Sequence, residues 1–131
     1  MTDETKIQSF ADFWPYYLGE HRNPTNRALH YVGTSAAIGI VIYAIAIGPP
    51  ALGLWALLAG YGCAWIGHFR IEHNRPATFT YPRWSLGGDF KMLFYFLTGR
   101  IGGEFVRFYG STHPSADTPL RVDPSGTELS Q

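Results

Sequence analysis

The sequence predicts an all-α fold, a small integral membrane protein built on a helical hairpin. Two membrane-length helices form the hairpin, and amphipathic or re-entrant helices flank it. Three observations predict this. Two uncharged apolar runs, Ala28 to Gly48 and Ala51 to Phe69, each approach the length that crosses a hydrocarbon core. Only the turn Gly48-Pro49-Pro50 joins them, and its prolines stop one helix before the next begins. The apolar residues, 46% of a 131-residue chain, are concentrated between Tyr31 and Ile71, so little chain remains elsewhere to cover both runs in a soluble core.

The N-terminal residues 1–6 read as a loose tail. The stretch IQSFADFWPYYL, Ile7 to Leu18, is rich in aromatics and interrupted by Pro15. It predicts a short amphipathic or interfacial helix, kinked or restarted near that proline. Trp14, Tyr16 and Tyr17 suit a headgroup layer. Asn23-Pro24 is a strong helix start, because Asn caps and Pro is tolerated at the first helical position. The first run then extends to Pro49, and the second follows with Gly and Ala residues that permit close helix packing. Residues 74–84, NRPATFTYPRW, predict a structured loop. Ser85 to Tyr109 has too short an uncharged centre to span. It predicts an amphipathic helix or a broken re-entrant pair hinged near Gly102-Gly103. Residues 1–110 thus form a single helical membrane domain, and 111–131, rich in Ser, Thr and Pro, a disordered polar tail.

The ten basic and ten acidic residues give a net charge of zero, which offers no footprint for nucleic acid. The single cysteine, Cys63, excludes an internal disulfide and reads as a small buried or lipid-facing residue. The polar, acid-bearing N-terminus is unlike a cleavable signal. Arg22 and Arg27 precede the first run, and Arg70, Arg75 and Arg83 follow the second. This asymmetry predicts a multi-pass protein of a bacterial inner or endoplasmic-reticulum-like membrane, with both termini cytoplasmic.

His30 lies 19 residues before Pro49, and His68 lies 19 residues after it. An antiparallel hairpin folded at that turn brings both imidazoles to one level. Glu72 follows His68 by one helical turn on the same face. Titratable residues in membrane helices are costly and tend to mark function. Imidazole suits Zn, Cu, Fe and Ni, and two His with one carboxylate and open positions favour non-haem Fe(II). Each residue also has a structural reading: the histidines as interfacial hydrogen-bonding groups, Glu72 as an ion-pair partner of Arg27, Arg70 or Arg75, and Asp89 and Glu104 as solvated or helix-terminal acids. No GxSxG, phosphate-binding loop or GxGxxG in a strand-helix context is present.

The segments FWPYYLGEHRNPTNRALHYVGT and WIGHFRIEHNRPATFTYPRWSLGGDFKM resemble the Mpo-type 2-hydroxy fatty acid dioxygenase-like family. These are small membrane proteins that include a fungal endoplasmic-reticulum enzyme of fatty acid α-oxidation. The resemblance covers roughly residues 10–108. It implies an Fe(II)-dependent dioxygenase that uses O2 to shorten a 2-hydroxy fatty acid by one carbon. It places the metal ligands at His21, His30 and His68, and the functional carboxylates at Glu72 and Asp89, with Glu104 a further match. His73 stands where related sequences carry Lys or another residue. On the implied chemistry, Arg22, Arg27 or Arg75 neutralises the substrate carboxylate. Two other classes compete with this reading: a non-catalytic membrane helical module that binds a partner or lipid, and a zinc-dependent lipid hydrolase.

Overall fold

A computed structural model describes residues 7–121. Among them the protein is all-helical, with no strand. Five α-helices follow in order: α1 (Phe10–Gly19), α2 (Pro24–Ala46), α3 (Gly53–Ile66), α4 (Pro82–Leu97) and α5 (Ile101–Tyr109). Single 3-10 turns at Pro50–Leu52 and Ala77–Phe79 introduce α3 and α4, and α3 continues as a π-helical segment, Gly67–Glu72.

Local chemistry explains the starts and stops. The Ser9 hydroxyl accepts from the Asp12 N–H and caps α1. The Asn23 side chain accepts from the Thr25 N–H, with Pro24 at the first position of α2. Helix α1 runs on through Pro15 rather than restarting there. The carbonyl that Pro15 leaves without a helical donor is that of Ala11, an exposed residue, so water can satisfy it. The last apolar stretch breaks at Gly99, which takes a left-handed φ of 74°, and not at Gly102-Gly103, which lie inside α5. A backbone that reverses at this point favours the residue without a Cβ.

Helices α2 and α3 pack antiparallel. A Cβ on Gly33 would lie 2.8 Å from Cys63 Cβ and 3.1 Å from the Ala59 carbonyl, so the crossing requires glycine there. Two stretches, Pro24–Ala46 and Pro50–Glu72, are long and apolar enough to cross a membrane. Their outer surfaces are bare: Ile45, Leu54 and Val32 are 82%, 69% and 62% exposed. The buried core lies at the other end of the hairpin, where α1, α4 and α5 form an aromatic cap around Phe13, Trp14, Tyr17, Phe105 and Phe108. A methyl group on Gly88 would meet the Tyr17 ring at 2.8 Å, so α1 and α4 also meet through a glycine.

The polar tail expected from residue 111 lies partly outside the described residues, as does the loose N-terminal tail at 1–6. Within residues 111–121, the Ser115 and Thr118 carbonyls accept from Arg22 Nη1, and the Arg121 N–H donates to the Phe108 carbonyl.

Candidate metal centre

Three elements deliver three imidazoles to one point beneath the aromatic cap. His21 follows the C-terminal end of α1, where its N–H donates to the Leu18 carbonyl. His30 lies two turns into α2. His68 is the second residue of the π-helical segment. That segment ends at His73, which adopts a left-handed φ of 58°. The reversal lets the Asn74 N–H donate to the His68 carbonyl at 2.9 Å and turns the Asn74 side chain back onto the His68 ring.

The ring centroids are 4.4 Å (His21 to His30), 4.5 Å (His21 to His68) and 4.9 Å (His30 to His68) apart. One ligand nitrogen from each lies within 4.8 Å of the others, and all three side chains are buried. Their protonation follows by elimination. His21 Nδ1 lies 2.6 Å from the Tyr17 carbonyl and His30 Nδ1 2.9 Å from the Asn26 carbonyl. A carbonyl only accepts, so both Nδ1 atoms carry the proton. His68 Nδ1 lies 2.7 Å from Asn74 Oδ1, while Asn74 Nδ2 donates to the Glu20 carbonyl and to its carboxylate. That arrangement fixes the amide so that its oxygen faces the ring. Each neutral ring therefore turns its Nε2 lone pair inward.

His21 Nε2 and His30 Nε2 stand 3.1 Å apart. Two lone pairs repel at that distance unless a cation lies among them. A proton fits poorly, because burial holds the pKa of His21 well below the usual imidazole value, and His30 and His68 push it the same way. The group could hold a metal ion: three imidazoles, each oriented through its other nitrogen by an oxygen acceptor, are an ordinary construction for such a site.

The remaining sequence-derived candidates are placed as follows. Glu72 is not among the converging ligand atoms. Its Oε1 accepts from the Asn23 N–H at 2.5 Å and from Asn26 Nδ2 at 3.4 Å, so it serves the N-terminus of α2. Glu72 follows His68 by four residues within the π-helical segment, yet its carboxylate engages the start of α2 rather than the three imidazoles. Asp89 accepts from the Tyr17 hydroxyl, and the Tyr17 ring stacks on His21 with centroids 4.0 Å apart. Burial raises the Asp89 pKa to about 7, partly offset by the Tyr17 hydrogen bond. Glu104 accepts from Trp14 Nε1 at 2.9 Å within the cap.

Of the arginines, Arg27 reaches the backbone of His21. It is buried, donates to the His21 and Arg22 carbonyls and lies over the Phe105 ring. Arg22 is engaged by Gly19, Ser115, Thr118 and the Tyr109 ring. Arg75 is exposed beside Phe79.

Residue spacing alone does not find Asn74, Asn26 or Tyr17, although all three lie in the segments that carry the family resemblance. Asn26 is fully buried, and its Oδ1 presses against Gly67, where an added Cβ would lie 1.8 Å away. That contact seats the start of the π-helical segment on α2.

Fold and site together define a small helical protein with a buried three-histidine group that could hold a metal ion, set at the base of an apolar hairpin. The profile of the family described as 2-hydroxy-palmitic acid dioxygenase Mpo1-like matches residues 7–101, and the chain belongs to this Mpo1-like family. No curated protein and no solved structure shows significant similarity to the chain.

Proposed function

We propose that the protein is a membrane-embedded, Fe(II)-dependent dioxygenase that shortens 2-hydroxy fatty acids by one carbon. The observation that carries this reading is the convergence of three inward Nε2 lone pairs from His21, His30 and His68 in a buried pocket. Family membership supplies the reaction class. His21, His30 and His68 would hold the iron, which when bound would supply redox chemistry with O2.

The reaction balances without a further reductant. A 2-hydroxy acid and one O2 give the acid one carbon shorter, CO2 and water. The bond between the carboxyl carbon and C2 breaks, C2 becomes the new carboxyl carbon, and O2 takes up the four electrons released.

The protein's own groups bind and orient. Arg27, held against the His21 carbonyl, offers its guanidinium to the substrate carboxylate. Burial lets Asp89 take up a proton near neutral pH while one of its oxygens accepts from the Tyr17 hydroxyl next to His21. The aromatic cap excludes water on one side of the histidines. The two apolar helices cross the bilayer, and the arginines at their outer ends keep both termini on the cytoplasmic side.

Iron quantification on the purified protein tests the reading, followed by incubation with a mixture of 2-hydroxy acids with and without O2. Stoichiometric iron and O2-dependent products one carbon shorter are expected. An all-nitrogen three-histidine set also suits zinc. A zinc hydrolase acting on lipids is therefore the second reading, and it is supported if turnover persists without O2.

A further inference from the structure

A groove of about 310 Å³ opens between α2, α3 and α4. Its walls are apolar, formed by Ala37, Ile38 and Val41 on one side and Leu57, Gly60 and Phe90 on the other. One end is polar, where Thr34 and Asp89 line it. Thr34 stands one helical turn beyond His30 on the same face of α2. Asp89 is joined through the Tyr17 hydroxyl to the ring that stacks on His21. The groove therefore begins beside the histidines and runs towards the Pro49-Pro50 turn. From Thr34 to Ile42 it follows eight residues of α2, about 12 Å at 1.5 Å per residue.

Gly60 shows what the groove is for. It has no left-handed φ, and a Cβ there would make only ordinary contacts, with Ala37 Cβ at 3.6 Å and the Gly33 carbonyl at 4.0 Å. Neither the backbone nor the packing of α2 on α3 demands a glycine, in contrast to Gly33. Its missing side chain leaves open space in the groove, whereas the outer hairpin surface nearby carries exposed Ile45, Leu54, Trp55 and Leu58.

We infer that this groove seats the acyl chain of the 2-hydroxy acid, with Gly60 keeping the channel open and Val41 setting how long a chain fits. The inference rests on the histidine site being where the head group reacts. Lipid tails are as apolar as these walls, so fit rather than hydrophobic transfer selects the substrate chain over bilayer lipid.

The test uses the full chain in lipid nanodiscs and a 2-hydroxy fatty acid with a diazirine at its methyl end. Photolabelling is expected on peptides covering 34–42 and 56–61. Unlabelled 2-hydroxy acid should compete with it, and phospholipid of the same chain length should not. Gly60→Leu, which places a good helix former in the groove, should reduce labelling at least tenfold with unchanged metal content. Val41→Phe should exclude the longest acids and spare shorter ones. Labelling that 2-hydroxy acid does not compete for identifies ordinary bilayer lipid and overturns the proposal. So does a Gly60→Leu protein that labels like the parent. If Gly60→Leu does not fold, the parent peptide map and Val41→Phe decide. Labelling needs no turnover, so a protein that labels in the groove yet retains no metal refutes the histidine reading alone.

Discussion

The orientation of His68 depends on one amide. Asn74 Oδ1 accepts from His68 Nδ1 and thereby aims Nε2 at the other two histidines. Removing such a partner from a metal ligand typically costs ten- to a hundredfold in affinity. Asn74→Ala is expected to lose metal faster than the parent on dialysis against a chelator, with affinity reduced roughly 10- to 100-fold. Asn74→Asp keeps the acceptor for His68 but faces the Glu20 carboxylate, so it is paired with Glu20→Gln, whose amide can donate to it; that double variant should retain metal, and loss equal to that of Asn74→Ala would refute the orienting role. His30→Ala and His68→Ala should each lose the metal altogether. The equal spacing of His30 and His68 about Pro49 was legible in the sequence because helix rise is constant. The position of His21 was not legible by spacing, because it follows α1 and reaches the site only through the packing of α1 on α4, which turns on Gly88 and the Tyr17 ring. Asn74 was hidden for another reason: it returns to His68 through a left-handed residue, and no helical periodicity describes that reversal.

At the scale of elements, the hairpin and the π-helical segment set the geometry. The closeness of α2 and α3 depends on Gly33, whose Cα faces Cys63 and the Ala59 carbonyl. Gly33→Val forces the helices apart. Overpacking of this kind costs about 1–3 kcal/mol. A lower unfolding midpoint and weaker metal retention are both expected, since the separation moves His30 away from His68. Glu72 separates two views of the segment after α3. If it caps α2, Glu72→Ala should destabilise the protein by about 1 kcal/mol, as cap losses do, while metal content stays near that of the parent. Loss of stoichiometric metal would instead return Glu72 to the ligand set. The lengths of the two apolar helices, their Pro-Pro turn and the cap at Asn23 were all readable from residue type. The π winding was not, because nothing in GHFRIE distinguishes it from an ordinary helical continuation. The same limit applies to the last apolar stretch, where glycines at 99, 102 and 103 offered three places to break and the left-handed turn falls at Gly99.

The whole molecule divides its labour between a buried aromatic cap and a hairpin whose outer surface is bare. Its histidines join the end of α1, helix α2 and the end of α3, so a bound metal ties three elements together. A ligand that binds only the folded state stabilises it by about 4 kcal/mol at a free concentration of 1,000 Kd. Chelation should accordingly lower the unfolding temperature of the parent and leave that of His68→Ala unchanged. Asp89 adds a dependence on pH, and its sign follows from the direction of the shift. Its folded pKa, about 7, lies above the ordinary carboxylate value of 3.8. Below the ordinary value the carboxyl is protonated in both states, and its burial incurs no charge penalty. As pH rises towards the folded value, the unfolded chain ionises first and gains free energy that the folded chain does not. Stability attributable to Asp89 is therefore complete in acid and is lost progressively as pH rises from about 4 to about 7. Asp89→Asn cannot ionise and keeps an oxygen to accept from Tyr17. Thermal unfolding of both proteins across this interval, in one detergent and without metal, should show a steeper fall with rising pH in the parent than in Asp89→Asn. Parallel curves would mean that the Asp89 carboxylate is as well solvated in the folded protein as in the unfolded chain, and that it accepts from the Tyr17 hydroxyl as an ordinary ionised carboxylate near neutral pH.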